Sequence, residues 1–393
     1  MSLTDVEITG FRSIRQLRFP LRRLTVLVGA NGVGKTNLYR SLALLHAAAT
    51  GQLAAEIAEE GGLESVFWAG GRNLSDDGGF DPMHRTDGFR RHDKNRLMLE
   101  ASLDGLGSDA DLAMTYRIEL GFPQRGVAAA FALEAQVKAE RLTLGTGRRP
   151  TLLMEREGPA LWARDSEGNR QFLDNTLLAS ETALSNLRGA HPEIDAVRHA
   201  MSNWRFFHGF RTDRDSPLRR PAPAVTAPLL APDGANLAAV FATLAFVRED
   251  RIDLDQAVEA AFPGAELVLE PPSGHATFGM RFPETPRRVF AAHELSDGTL
   301  QFLALMGALL SYRLPPFVAL NEPEASLHPG LLPVLARVIA RAAERSQIWV
   351  VTHSQPLADA IAEHTGCVPR QVVRRNGETW LDGLTQIGTF ADD

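Results

Sequence analysis

The chain has a single cysteine, Cys367, in 393 residues. An intramolecular disulfide and a cysteine-based zinc site are therefore excluded. Lysine is almost as scarce: Lys35, Lys94 and Lys138 are the only ones, and the remaining basic residues are arginine. A lysine in this chain is thus a conspicuous choice. No apolar run approaches the roughly 18 residues of a membrane span, and the longest, Leu300 to Leu310, contains Gln301 and Gly307. The opening MSLTDVEITG lacks the basic and apolar regions of a signal peptide. There is no internal repeat and no long heptad run, so no coiled-coil arm is expected. A formal net charge of -7 leaves no global basic field of the kind that favours passive nucleic-acid binding, although a local patch stays open. These absences point to a cytoplasmic protein of two or three lobes, with no membrane partner.

What is present is organised as α/β sequence at the two ends around a mixed insert. Val6–Gly10, Gln16–Phe19 and Leu24–Gly29 are expected strands, followed by a glycine-rich turn and then Leu38, Leu42 and Leu45 at helical spacing. Residues 96–103, 112–122 and 130–144 alternate apolar and polar residues and predict antiparallel strands. From Phe172 to His208 the pattern predicts helix, with Leu177, Leu178, Leu184 and Leu187 as buried positions. Five prolines between Ser216 and Gly234 mark a loop, after which Asp233 or Asn236 is expected to cap a helix running to about Arg248. The last hundred residues alternate helix 297–312, strand 317–320, helix 329–343, strand 347–351 and helix 356–364. A hairpin then turns at Asn376-Gly377. The expected domains are 1–165, 166–290 and 291–393.

The strongest signal is Gly29 to Thr36, GANGVGKT, a full G-x-x-x-x-G-K-[ST] phrase between a strand and a helix. Gly29, Gly32 and Gly34 let consecutive backbone N–H groups of the Asn31–Asn37 stretch turn towards phosphate, and the helix N-terminus adds its positive end. Lys35 is expected on the β- and γ-phosphates of ATP, and the Thr36 hydroxyl on Mg²⁺.

A second set of residues lies near the C-terminus. Leu295 to Leu303, LSDGTLQFL, places Ser296 and Gly298 at the start of an almost wholly apolar helix, where hydroxyl and N–H can meet an anion. The same residues also suit an ordinary capping turn. Phe317–Leu320 is a buried-strand run ending in Asn321-Glu322-Pro323-Glu324, and a carboxylate at the end of a parallel strand beside a P-loop is the Walker B arrangement. Glu322 is expected to polarise the attacking water. A further buried strand ends in Thr352-His353-Ser354, where His353 can sense a γ-phosphate or serve as a hydrogen-bonded strand-end histidine.

Together GANGVGKT, LSDGTLQFL, LNEPEASLHP and VVTHS, with EITGFRSIRQLRF ahead of them, resemble the predicted-ATPase branch of the SMC/RecF-like ABC superfamily, an OLD-like head without a nuclease domain. The resemblance is strong at both ends and loose in the middle. It implies an ABC-ATPase-type P-loop head with an antiparallel β subdomain and a helical insert. It also implies that two copies pair head to tail around ATP, with Ser296 and Gly298 acting on the partner's nucleotide. The family's acidic residue at the position of Asn321, a metal position, is replaced here by an amide. ATP binding should survive that change, and turnover should be slow. No glutamine could be assigned to the γ-phosphate-sensing loop; Gln52 is a poor candidate.

The partner stays open on sequence grounds. Arg205, Arg211, Arg214, Arg219 and Arg220 interleave with Trp204, Phe206, Phe207 and Phe210, which suits phosphate contact and base stacking, or a core strand with ordinary surface pairs. Arg85, Arg90, Arg91, Lys94 and Arg96 form a basic run that also fits a solvated loop. Arg12 either touches nucleotide or sits on the surface. The competing functions are a DNA-associated ATPase in repair, chromosome maintenance or defence, and a regulatory ATPase that controls a separate protein effector. A transporter subunit is disfavoured by the LSDG phrase and the long insert. A fused nuclease is disfavoured because only about 40 residues follow His353, against the roughly 50 of a minimal domain.

Overall fold

The computed structural model describes residues 1–68, 96–104, 113–123, 131, 133–145, 150–173, 177–247, 251–270 and 274–391. Arg85, Arg90, Arg91 and Lys94 of the basic run lie outside the described residues. Strands β1 (Leu3–Phe11), β2 (Ile14–Pro20) and β3 (Leu24–Val28) precede the glycine loop and helix α1 (Lys35–Thr50). Short helices α2 (Leu53–Glu59) and α3 (Leu63–Val66) follow, then strands β4 (Leu97–Leu103), β5 (Met114–Gly121), β6 (Gln136–Leu144), β7 (Thr151–Glu157), β8 (Ala160–Arg164) and β9 (Arg170–Phe172). The middle of the chain carries α4 (Ala183–Asn186), α5 (Pro192–Ser202), β10 (Arg205–Phe207), β11 (Ala222–Pro223), α6 (Leu237–Val247) and α7 (Ile252–Ala261). Strands β12 (Glu266–Leu269), β13 (His275–Ala276), β14 (Phe278–Arg281) and β15 (Val289–Ala291) lead to α8 (Asp297–Leu310). Then come β16 (Phe317–Asn321), α9 (Leu332–Ala343), β17 (Gln347–Thr352), α10 (Gln355–Thr365), β18 (Arg370–Arg375) and β19 (Glu378–Leu381).

The chain divides into two compact units. The first comprises Met1–Arg22, Ala30–Trp204 and Gln371–Asp393; the second comprises Arg23–Gly29 and Arg205–Arg370. The first unit is built on an eight-stranded antiparallel sheet in the order β2-β1-β4-β5-β6-β7-β8-β9. Period-2 patterning explains it: Met114, Tyr116, Ile118 and Leu120 of β5 are buried while the residues between them are partly solvated. Three of these strands follow the alternation in the sequence, and β7 to β9 extend the same sheet to Phe172.

The expectation of continuous helix from Phe172 to His208 is corrected. Phe172 ends β9, Arg205–Phe207 form β10, and among the described residues between them only α4 and α5 are helical. Of the four leucines expected inside, Leu184 is buried, Leu177 and Leu187 are half-buried, and Leu178 is exposed. Thr182 caps α4 through Ser185 N–H, and α5 begins separately at Pro192, so no continuous helical face exists.

In the second unit β10, β16, β17 and β3 lie parallel in that order. Every residue of β3, β16 and β17 is buried, which is why these strands are apolar runs without alternation. Helix α8 is buried from Thr299 to Leu310 and packs with α6, α7 and α9. Gly307 in its middle has a packing cause: a Cβ there would fall 2.4 Å from Leu237 Cδ1 of α6. Neither expected cap of α6 acts as one. Asn236 spends its amide on Ala231 N–H (2.8 Å) and the Leu229 carbonyl (3.0 Å), and Asp233 accepts from Ala235 N–H (3.0 Å). Arg248 lies outside the described residues. No helix among the described residues is long and apolar enough to cross a membrane.

Candidate nucleotide site

Strand β3 delivers the chain to the loop Gly29–Gly34. Gly32 and Gly34 adopt φ of 81° and 100°, the left-handed region open to glycine, and this geometry alternates the direction of successive peptides. Gly34 is the N-cap of α1. The helix start has no side-chain cap and no acidic residue in its first turn, so nothing from those positions meets its positive end. Lys35 is 4% exposed and its Nζ donates to the Ala30 carbonyl at 2.7 Å, inside the loop. Asn31 and Gly32 are exposed and Thr36 is half-buried. The Asn37 side chain is turned back to Ser13 Oγ at 2.7 Å. Backbone donors, one buried ammonium and one hydroxyl are the groups that a polyphosphate requires.

In the second unit β16 ends at Asn321, which is 3% exposed. Its Nδ2 lies 2.6 Å from His208 Nδ1, and its Oδ1 is buried without a hydrogen-bond partner among the described residues. Next, Glu322 holds a φ of 49°, fixed by its backbone N–H donating to the Val351 carbonyl of β17 at 2.7 Å. Its side chain is about one-third exposed, 35%, against 6% for Glu324. That difference separates their chemistry. Glu324 Oε1 accepts from Thr352 Oγ1 (2.5 Å), His353 N–H (2.9 Å) and Ser354 N–H (3.2 Å), and lies 3.1 Å from His353 Nδ1. One buried carboxylate thus aims the end of β17 and the imidazole, while Glu322 keeps access to water, its Oε2 3.9 Å from His353 Nδ1.

Ser296 caps α8, accepting from Thr299 N–H at 3.2 Å. The phrase ahead of the helix is held by Arg219, whose Nη1 donates to the carbonyls of His293 (3.0 Å) and Leu295 (2.9 Å) and whose Nη2 meets Asp297 Oδ1 at 2.7 Å. A Cβ on Gly298 would stand 3.0 Å from the carbonyl of Ser326, itself at φ 64° just beyond Glu324.

A family model described as "AAA domain, putative AbiEii toxin, Type IV TA system" matches residues 129–359, more than half of the chain. The chain belongs to that AAA-domain family. A second family model, "Protein of unknown function (DUF2813)", matches residues 1–53. The fold is that of SMC heads. A structure of the SmcHead bound to the C-winged helix domain of ScpA aligns with a TM-score of 0.56 at 15% identity, over 98% of this chain and 99% of that one. An Smc head with an extended coiled coil, bound to the C-terminal domain of ScpA derived from Pyrococcus furiosus, gives 0.52 at 14% identity, over 97% and 95%. The chromosome partition protein Smc of Synechococcus sp. is 35% identical over 101 residues, 26% of this chain. The chain spans about 8% of that relative's length.

Within this AAA-domain fold, the residues read from the sequence fall into two sets, Gly29–Asn37 around the start of α1 and Ser296, Gly298, Asn321, Glu322 and His353 in the second unit. Glu324, Arg219 and His208 add to the second set. The signal for Glu324 was its place in NEPE, and the other two leave no local trace because their partners are distant in sequence. Among the described residues no group of three or more His, Cys, Asp or Glu could cage a metal. Magnesium is commonly held by one or two protein oxygens plus substrate phosphates, and the Thr36 hydroxyl at the start of α1 is a protein oxygen of that kind.

The interleaved arginines and aromatics do not form an open stacking surface. Trp204, Phe207 and Phe210 are buried. Arg211 pairs with Asp213 at 2.9 Å, Arg220 donates to the Asp215 carbonyl at 3.0 Å, and Arg219 is spent on the LSDG phrase. Arg12 has φ 48° and an ion pair with Glu60, which Arg40 also meets at 3.2 Å. Gln52 is an exposed residue just ahead of α2.

Proposed function

We propose that this chain is an ABC-type ATPase that binds Mg-ATP, hydrolyses it slowly and pairs with a second copy around the nucleotide. The observation that carries the proposal is the loop Gly29–Thr36, with left-handed Gly32 and Gly34 leading into an uncapped helix start. Lys35 binds the β- and γ-phosphates, and Thr36 and Asn321 would hold magnesium, which would supply neutralisation of phosphate charge. Glu322 orients the attacking water and His353 contacts the γ-phosphate. Ser296 and Gly298 act on the nucleotide of the partner copy, so each of two equivalent sites needs both copies.

The test is solution mass with and without Mg-ATP, on Glu322→Gln with Lys35→Ala as control. Dimerisation of the first by ATP, and its absence in the second, is the expected result. A monomer in both conditions with ATP bound would remove the paired-copy mechanism and point to a missing protein partner.

The amide at position 321 is the proposed cause of slow turnover, because it accepts a hydrogen bond from a metal-bound water without bringing negative charge. Asn321→Asp is expected to tighten magnesium dependence and raise hydrolysis by about 10- to 100-fold, read from a magnesium titration of phosphate release. An unchanged magnesium midpoint would show that position 321 does not reach the metal.

Of the two biological roles, the spending of Arg219 on the LSDG phrase and the local surface pairing of exposed Arg211 and Arg220 favour a regulatory ATPase that controls a separate protein effector over one that grips DNA through this stretch. The toxin-system description of the family accords with a defence setting. DNA repair or chromosome maintenance is the alternative, and salt-dependent DNA binding by the ATP-trapped dimer would favour it.

A further inference from the structure

The turn at Asn376-Gly377 reads in sequence as a simple hairpin. In the first unit the β18–β19 hairpin reaches the phosphate loop through one side chain. Thr379, on β19, is 1% exposed. Its Oγ1 donates to the Val33 carbonyl at 2.8 Å and stands 2.6 Å from Ser13 Oγ, and its backbone N–H donates to the Ser13 carbonyl at 2.8 Å. Ser13 Oγ in turn accepts from Asn37 Nδ2 at 2.7 Å.

The donor count gives this relay a direction. The Thr379 hydroxyl proton goes to Val33, so the proton between Ser13 and Thr379 comes from Ser13, which is then free to accept from Asn37. The relay runs Asn37, Ser13, Thr379, Val33, and both ends lie in the phosphate loop or the first turn of α1. Its effect follows from peptide planarity. In a trans peptide the C=O and the next N–H point in opposite directions. Holding the Val33 carbonyl against the hairpin therefore turns the Gly34 N–H away from it. Gly34 also has no alternative neighbour: a Cβ there would fall 1.9 Å from Thr379 Oγ1 and 2.6 Å from Ser13 Oγ.

We infer that Thr379 is a positioning residue for the phosphate cradle, and that the C-terminal hairpin holds the Val33–Gly34 peptide in its anion-binding orientation. This rests on the reading of Gly29–Thr36 as the ATP loop.

Thr379→Val keeps the shape and removes the donor, leaving the Val33 carbonyl without that bond; Thr379→Ser restores the hydroxyl. ATP affinity is read by calorimetric titration on the full chain at a temperature where each variant is folded. Thr379→Val is expected to weaken ATP binding by about 5- to 30-fold, with Thr379→Ser near wild type. Ser13→Ala breaks the same relay from a different part of the chain and is expected to weaken ATP in the same range, which covers the case in which Thr379→Val fails to fold. Wild-type affinity in Thr379→Val, or in Ser13→Ala where that stands in, would overturn the inference with the ATP reading intact. Failure of the wild-type chain to bind ATP at all would remove both.

Discussion

In saturating Mg-ATP, Glu322→Gln is expected to slow phosphate release by about 10²- to 10⁴-fold, the contribution of a positioned general base, with nucleotide still bound. The case rests on how two carboxylates one residue apart differ. Glu324 is buried, with one oxygen spent on Thr352, His353 and Ser354 and the other closed off from solvent, so a water that must enter and leave reaches Glu322 more readily. Glu322 is the partly exposed one, and the chain holds it there at a cost. A non-glycine residue at φ 49° carries strain on the order of 1–3 kcal/mol, and here it is fixed by the bond from Glu322 N–H to Val351. Single-turnover hydrolysis separates this from a binding defect. A Glu322→Gln chain that turns over at the wild-type rate would move the base elsewhere.

The phosphate loop, the buried parallel strands and the order of the C-terminal helices were legible because each has a local cause: glycine for left-handed backbone, unbroken apolar runs for strands covered on both faces, a cap at Ser296. The middle of the chain was not. Leu177, Leu178, Leu184 and Leu187 have helical spacing, but a capping threonine at 182 and Pro192 cut the stretch into two short helices, and Arg205–Phe207 is claimed by pairing with β16. Tertiary pairing overrides spacing at such short lengths. Arginine use failed for a related reason. Arg219 reads as a surface charge, yet its guanidinium fork serves carbonyls more than 70 residues away. The candidate role of Glu322 was read from strand-end position alone, whereas the contacts of Glu324 depend on the end of a neighbouring strand.

The first unit depends on a second buried carboxylate, and its loss is expected to be severe. Glu140 of β6 is fully buried. It accepts from the Ala183 and Leu184 N–H groups at the start of α4 (2.7 and 2.8 Å) and from Tyr116 Oη (2.9 Å). Opposite it on β7 is Arg156, 1% exposed, which donates to the carbonyls of Gly158 and Leu178 (3.1 and 3.0 Å) and of Glu181. Thr182, next to α4, donates to the Ala48 carbonyl near the end of α1 at 2.7 Å. The cluster therefore ties the sheet to the helix that begins at Lys35. Glu140→Ala removes the acceptor from three buried donors. Leaving buried donors unsatisfied costs about 1–3 kcal/mol each, which for a unit of this size lowers the melting temperature by on the order of 10 °C. Burial, outweighing the hydrogen bonds, raises the Glu140 carboxyl above the ordinary glutamate range. The folded chain then holds this proton at pH values where the unfolded chain has lost it, so the contribution is complete below the unfolded value and declines as pH rises through the folded one. Glu140→Gln, which does not titrate, should be most destabilising relative to wild type at the acid end of a pH series of thermal melts, with the gap narrowing upward. A gap that instead widens as pH rises would show that the folded chain holds Glu140 ionised more readily than the unfolded chain does, and would overturn this reading.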